Sequence, residues 1–203
     1  MRKFFGSLII TALLIDLMGC ASVDFEHPKE ATTAIQGTGD THIGRQVEDL
    51  VATFPEGYSG FIPIFDGIDA LSARLLMAGR AERTIDAQYY LLKPGITGEA
   101  FLYELLRAAD RGVRVRLLLD DMFTSGYDAG MVGFDSHPNI EVRIFNPFAS
   151  RSARFWDGLT SFSRLNRRMH NKSLTVDNQV TLIGGRNIAN VNVSKFLKGV
   201  FDA

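Results

Sequence analysis

Four side chains near the carboxyl end of the chain have the chemistry to act on a phosphate ester. They are His170, Lys172 and Asp177, followed by Asn187 after Gly184-Gly185. An imidazole can attack phosphorus and carry a phosphoryl group, and an ammonium and an amide can donate hydrogen bonds to phosphate oxygens. A lone His-x-Lys pair more often lies on a solvated strand face, and Gly-Gly after an apolar strand is more often a turn. The complete set at these spacings favours a phosphate site.

The residues around this set predict a β-hairpin that positions them. A strand is predicted over residues 171–176, and alternate side chains of a strand share a face. If the strand begins at His170, the imidazole of His170 and the ammonium of Lys172 project on the same side, about 7 Å apart. Residues 177–179 predict a turn and residues 180–183 the return strand. The two glycines let the backbone approach a ligand, and the amide of the motif then arrives beside the imidazole.

The remainder of the chain alternates between helical and strand patterns, which predicts an α/β fold with a mixed β-sheet flanked by helices. The predicted helices cover residues 45–54, 69–78 and 98–111, and the predicted strands cover residues 84–92, 113–119 and 140–145. Asp120 and Asp121 follow one of these strands, at the strand end where α/β proteins collect ligand-binding groups. A turn with a helix cap is the alternative for this pair.

The composition is that of an ordinary globular protein. The chain has 203 residues, 46% of them hydrophobic and 22% charged, with a net charge of -1. This suffices for one domain with a core, and it provides no overall attraction to nucleic acid or to a membrane. The charge is uneven, since residues 143–172 contain six Arg and one Lys against Asp157. This run suits a phospholipid headgroup or a nucleic-acid backbone; a solvated basic face is the alternative.

The amino terminus predicts a secretory signal over residues 1–19. Arg2 and Lys3 precede an apolar run that is shorter than the roughly 20 residues needed to span a membrane. The signal resembles that of bacterial lipoproteins, with Cys20 as the lipid-modified residue; an uncleaved anchor or an inert thiol is the alternative. The resemblance implies a lipid-anchored, periplasm-facing protein of the bacterial cell envelope, and Ala21 favours the outer membrane. Residues 20–60 predict a tether.

The motif resembles the signature of the phospholipase D superfamily. The resemblance extends upstream to residues 84–90, 108–121 and 163–170, which are similar to the first half of bacterial cardiolipin synthase-like lipoproteins. It implies one phospholipase D-like half-domain over residues 61–190.

The resemblance also implies a reaction. It is a two-step phosphatidyl transfer on a phospholipid such as phosphatidylglycerol, through a phosphohistidine, without a metal or another cofactor. His170, Lys172 and Asp177 take the catalytic positions of the motif, and Lys172 and Asn187 hold the phosphate. Asp177 belongs to the same motif, with a structural part in anchoring the turn.

The chain departs from the family pattern in two ways, and both concern whether its catalytic site is complete. The motif occurs once, whereas the mechanism uses a second imidazole, and residues 188–200 contain no carboxylate to orient the first one. We therefore expect residues 191–203 to be an atypical tail and the chain to be a truncated half that needs a second motif-bearing half. One alternative is a homodimeric single-motif phosphodiesterase or nuclease, and another is a non-catalytic lipoprotein. The lipoprotein-like signal favours lipid over nucleic acid.

Overall fold

A computed structural model describes residues 30–150, 154–155 and 161–190 of the chain. The predicted signal, Cys20 and the predicted tail lie outside these residues. The chain divides into two compact units, and residues 30–147 and 167–190 are the described part of the larger one. In the described part of the smaller unit, one helical turn, Phe162–Leu165, is closed by a hydrogen bond from the Asn166 amide to the Phe162 carbonyl. No helix among the described residues is long and apolar enough to cross a membrane.

The larger unit is a five-stranded mixed sheet with helices, which confirms the predicted fold class. Its helices are α1 (His42–Val51), α2 (Gly67–Arg80), α3 (Ile96–Asp110) and α4 (Asp128–Asp135), with a 3-10 turn over Asp121–Phe123. Its strands are β1 (Thr84–Tyr89), β2 (Arg114–Asp120), β3 (Ile140–Phe145), β4 (Lys172–Val176) and β5 (Val180–Ile183). The strand order is β3-β2-β1-β4-β5. Strands β1, β2 and β3 run parallel, and β4 and β5 join them antiparallel.

The three predicted helices begin two or three residues before their predicted starts, at His42, Gly67 and Ile96. The helix predicted over residues 45–54 begins three residues earlier, because the Thr41 hydroxyl caps it by accepting the Gly44 amide at 3.0 Å. The helix predicted over residues 69–78 begins at Gly67, where the Asp66 carboxylate accepts the Ile68 amide at 2.7 Å. Side-chain caps act outside the apolar periodicity, so the periodicity alone placed these ends too far along the chain.

One face of the sheet forms the core. The side chains of Ile85, Ala87 and Tyr89 on β1 and of Leu174 and Val176 on β4 are at most 1% exposed. They belong to one cluster with Phe101 and Leu105 of α3. Burying a side chain of this size stabilises the fold by about 1.5–3 kcal/mol. The core therefore fixes the position of β4, and with it the position of the motif.

The other face of β1 is polar, and the strand ends at Tyr89, three residues before the end of the strand predicted over residues 84–92. Asp86 forms an ion pair with Arg116 of β2. Arg116 also donates to the Thr32 carbonyl at 3.1 Å, and Arg114 donates to the Thr33 carbonyl at 2.9 Å. This part of the predicted tether therefore lies along the sheet, held by arginines that alternate with the core residues of β2.

Candidate functional site

The hairpin that carries the motif forms as the sequence predicts. Strand β4 pairs with β1, with Lys172 opposite Tyr89, and β5 returns beside β4, with Val180 opposite Val176. Side chains on β4 alternate between buried and half-buried, and Lys172 shares the buried face with Leu174. The aliphatic part of the Lys172 side chain therefore lies on the core side of the sheet, and the ammonium at its end extends to the site.

His170 and Lys172 meet at the aromatic ring of Tyr90, the residue that follows β1. The centroids of the His170 and Tyr90 rings are 4.6 Å apart, with an angle of 52° between the planes. The Nζ of Lys172 lies over the same Tyr90 ring, 5.2 Å from its centroid. The structure thus brings together the two side chains that the sequence placed on one face, and both of them contact the same aromatic ring.

The ammonium of Lys172 is further held by its own strand. Its Nζ donates a hydrogen bond of 2.8 Å to the carbonyl oxygen of His170. The residue is only 5% exposed, and this burial lowers the pKa of the Lys172 ammonium from the usual value of 10.5. His170, in contrast, is exposed. A partly desolvated cation beside an accessible imidazole is an arrangement that attracts a phosphate anion.

Asn187 reaches the same corner of the fold from the other side of the hairpin. Its Oδ1 accepts a hydrogen bond of 3.2 Å from the backbone amide of Leu91, the residue after Tyr90. Backbone hydrogen bonds between residues 91–93 and Ile188 hold the two segments together: the Ile188 amide donates to the Leu91 carbonyl at 3.1 Å, and the Lys93 amide donates to the Ile188 carbonyl at 2.9 Å. One short segment therefore aligns both parts of the motif.

A small recess lies beyond Asn187. It has a volume of about 10 Å³ and is lined in part by Arg74 and Arg186. Such a volume holds about one water molecule. The recess is therefore too small to hold a phosphate group.

Asp177 lies at the opposite end of β4, about five residue rises or 17 Å from Lys172. Its carboxylate accepts the backbone amides of Glu82, Arg83 and Thr84 at 3.1, 2.8 and 3.0 Å, and the residue is fully buried. Asp177 and Asn178 both have positive φ angles, 50° and 52°, as the tight turn requires. The structure therefore gives Asp177 the anchoring position and does not bring it to His170.

The sequence predicted either a ligand-binding group or a helix cap at Asp120. In the structure, Asp120 caps the 3-10 turn and also holds the backbone that precedes β4. Its Oδ1 accepts the Met122 amide at 2.9 Å, and its Oδ2 accepts the Met169 amide at 2.8 Å. It also pairs with Arg168 at 3.2 Å. Asp120 thus fixes the backbone immediately before His170, a contact between residues 49 positions apart that local patterns do not reveal.

The glycine pair is not required by packing among the described residues. A Cβ built on Gly184 or Gly185 would meet no other atom within 4 Å, and neither residue has a positive φ. Close approach of a ligand as the reason for these glycines stays a prediction. Among the described residues, no carboxylate lies within ion-pair distance of His170, and no group of three or more His, Cys, Asp and Glu side chains could hold a metal ion.

Sequence reasoning missed Tyr90 as a site residue. It lies in one of the upstream segments that carry the family resemblance, but nothing in its own neighbourhood marks it as functional. The available signal was its position: an aromatic residue directly after the central strand that pairs with the motif strand.

Comparison with known proteins shows which family the chain resembles. Residues 76–196 match the family model described as "Cardiolipin synthase, PLD-like domain". Cardiolipin synthase C of Escherichia coli (strain K12) is 54% identical over 132 residues, which cover 65% of this chain and 28% of that protein. An uncharacterized protein of Helicobacter pylori (strain 26695) is 36% identical over 172 residues, which cover 84% of this chain and 34% of that protein. The chain thus spans about a third of the length of these relatives.

Among solved structures, NucT from Helicobacter pylori has a similar fold, and the match covers 65% of this chain and 75% of the NucT chain. The identity is 17% and the TM-score is 0.46.

Proposed function

Because the chain belongs to the cardiolipin synthase family of phospholipase D-like domains, we propose that it is one half of an enzyme that cleaves and transfers phospholipid phosphodiesters. One observation carries the proposal. His170 and Lys172 converge on the ring of Tyr90, and Asn187 is bound to the next residue along the chain. An accessible nucleophile, a held cation and an amide around one point match what phosphoryl transfer needs.

The proposed reaction proceeds in two displacements. A ring nitrogen of His170 attacks the phosphorus, an N–P bond forms, and the P–O bond to the leaving alcohol breaks. The Lys172 ammonium stabilises the charge that develops on the phosphoryl oxygens. A second alcohol then attacks the phosphohistidine, its proton passes to the group that protonated the first leaving alcohol, the N–P bond breaks, and the new diester leaves. For an acceptor that is itself phosphatidylglycerol, the product is a diphosphatidyl lipid.

The leaving alcohol needs a proton, and the chain's single motif supplies one imidazole. We propose that a second motif-bearing half provides the general acid for a natural phospholipid. An ester of p-nitrophenol does not need this proton, since its leaving group is stable as an anion. The chain by itself is therefore expected to act on such an ester and to be a poor enzyme on phosphatidylglycerol.

This difference in leaving group defines the first experiment. Full-length chain in detergent micelles is mixed with a phosphatidyl ester of p-nitrophenol, and p-nitrophenol release and phosphorus on the His170 peptide are measured. His170→Ala should abolish both signals, and Lys172→Ala should slow release about 10²- to 10³-fold, the usual effect of one stabilising group. His42→Ala, which removes another exposed histidine, is the matched control and should behave as wild type. Equal release by His170→Ala would contradict the proposal.

A thymidine phosphodiester of p-nitrophenol tests the class of substrate in the same assay. The proposal expects faster release from the phosphatidyl ester. The alternative, a homodimeric single-motif phosphodiesterase, is favoured by the single copy of the motif. It expects turnover of the thymidine ester by a defined dimer in sedimentation velocity. A monomer with rapid turnover of phosphatidylglycerol would contradict both functions.

We further propose that the protein is anchored in the cell envelope through lipid on Cys20. The basic start, the apolar run and Cys20 support this, and several acyl chains on one residue would hold a protein stably on a membrane. Metabolic labelling with a palmitate analogue should label the wild type and fail to label Cys20→Ser. Equal labelling of the two proteins would exclude Cys20 as the lipidated residue.

A further inference from the structure

Tyr90 occupies a central position that the motif itself does not explain. Its ring contacts both the imidazole of His170 and the ammonium of Lys172, at centroid distances of 4.6 and 5.2 Å. The ring is itself held in place. Phe123 packs against it edge-on, with centroids 5.5 Å apart and planes at 89°, and the Tyr90 amide donates to the Asn171 carbonyl at 3.0 Å.

The contact with Lys172 has a direct electrostatic meaning. The face of an aromatic ring is electron-rich and attracts a cation. Lys172 is buried, which disfavours the charged ammonium, whereas binding of a phosphate needs that charge. The Tyr90 ring and the His170 carbonyl are the two groups seen to face the Nζ among the described residues. The ring therefore favours both the charge and the position of the ammonium.

The contact with His170 restricts the imidazole. An exposed side chain without other described ring contacts or ion pairs has access to several rotamers. Packing against a fixed ring removes part of that freedom before the substrate binds. Preorganisation of this kind is the basis of effective positioning in active sites.

We propose that Tyr90 is a positioning residue, whose ring holds the His170 imidazole and the Lys172 ammonium so that both face one phosphate group. The inference rests on the proposed function insofar as the site binds a phosphate ester. It assigns the role to the ring and not to the hydroxyl, because both contacts are made to the ring. Tyr90→Phe should therefore preserve the role, and Tyr90→Leu should remove it.

The experiment uses ring-labelled histidine in the full-length chain. The chain has four histidines, so a ¹H–¹³C spectrum of histidine labelled at Cε1 contains four ring signals, and His170→Ala identifies the relevant one. A ring at 4.6 Å imposes a ring-current shift on the His170 signal. This shift should disappear in Tyr90→Leu and persist in Tyr90→Phe. Titration with inorganic phosphate, followed on the same signal, should give an affinity about 5- to 30-fold weaker in Tyr90→Leu and unchanged in Tyr90→Phe.

Tyr103→Leu is the matched control. Tyr103 also has a cation over its ring, the Arg107 guanidinium at 5.8 Å, but it lies on α3 and is 59% exposed. It should change neither readout. The His42 and His137 signals report whether each variant folds.

If Tyr90→Leu does not fold, Phe123→Leu takes its place, because Phe123 is 41% exposed and contacts the Tyr90 ring in an edge-on arrangement. It should weaken phosphate binding about twofold and partly displace the His170 signal.

The outcomes separate this inference from the proposed function. A folded Tyr90→Leu with the wild-type His170 signal and the wild-type phosphate affinity overturns the positioning role, as does a Tyr90→Phe variant that loses both. If Phe123→Leu is the variant available, wild-type values for it overturn the role as well. A wild type that binds phosphate but forms no phosphohistidine with the activated ester overturns only the proposed function. A wild type that binds no phosphate overturns both.

Discussion

The two ends of β4 carry parts of the same motif but do different work. At the end where β4 begins, His170 is exposed and the Lys172 ammonium lies over the Tyr90 ring. At the other end, the Asp177 carboxylate is fully buried and accepts three backbone amides at the start of β1. One end can meet a ligand, whereas the other closes the fold. A residue that belongs to a sequence signature therefore does not necessarily take part in the chemistry.

A second buried carboxylate sharpens the comparison. Asp120, 1% exposed, also accepts backbone amides, but it does so at the His170 end of the sheet, where it holds Met169 and Arg168. Asp120 and Asp177 thus perform similar anchoring at opposite ends. Changes at Asp120 should disturb both the stability and the site, whereas changes at Asp177 should disturb only the stability.

The largest effect on stability is expected from Asp177→Ala. It removes the acceptor of three backbone amides, a buried one at Thr84 and part-buried ones at Glu82 and Arg83, and a hydrogen bond to a charged group contributes about 1.5–3 kcal/mol. We expect the free energy of unfolding in urea to fall by at least about 3 kcal/mol. Asp135→Ala is the control, since that exposed carboxylate accepts one amide, from Val142, and should cost less than about 1 kcal/mol. Similar losses in the two variants would show that Asp177 is not a structural anchor.

Asp120→Asn should have the next largest effect. It removes the charge that pairs with Arg168, and a hydrogen bond to a charged group contributes about 1.5–3 kcal/mol. We expect a loss of about 2 kcal/mol in stability. Because Met169 then loosens, phosphate affinity at His170 should also fall. Asp177→Asn provides the comparison: its folded fraction should bind phosphate as the wild type does. Equal phosphate affinities in Asp120→Asn and wild type would break the distinction between the two ends.

Lys172→Met should separate function from stability. It replaces a buried ammonium with an apolar side chain of similar length, which we expect to raise the free energy of unfolding by about 1 kcal/mol while phosphate binding is lost.

The sign of the pH dependence follows from the lowered pKa of Lys172. The folded state disfavours the proton, so the cost is present in full below the folded pKa. It is relieved as the pH rises toward 10.5, the usual value that the unfolded chain has. The stability advantage of Lys172→Met should therefore shrink over that interval. An advantage that grows with pH would contradict the lowered pKa.

The smallest effect on stability is expected from His170→Ala. The side chain is exposed, and substitutions at such positions usually change stability by no more than about 0.5 kcal/mol. Phosphohistidine formation should nevertheless be lost. His42→Ala, compared in the same urea titration, should show a similarly small change. A loss of several kcal/mol in His170→Ala would show that the imidazole belongs to the architecture, like Asp177.

Much of the framework was predictable because it is local. The alternation of apolar residues gave both strands of the hairpin within one residue, and the bounds of β3 and β5 agree with those predicted. The helices were found, but their first turns were misplaced where the caps Thr41 and Asp66 lie outside the apolar pattern. Helix α4 was not predicted; it has only eight residues, none of them fully buried, and its contact with the core is limited to the partly buried Met131 and Phe134.

The sequence by itself determined which side chains can do chemistry, since the identity and spacing of His170, Lys172 and Asn187 suffice to indicate a phosphate site. Only the tertiary structure decided what surrounds them. Tyr90 meets His170 from 80 positions away, and Asp177 meets Thr84 from 93. The physical reason is that strand pairing joins distant segments: β4 lies beside β1 because their apolar faces share one core. The period of either strand reports which face is buried, but not which strand lies next to it.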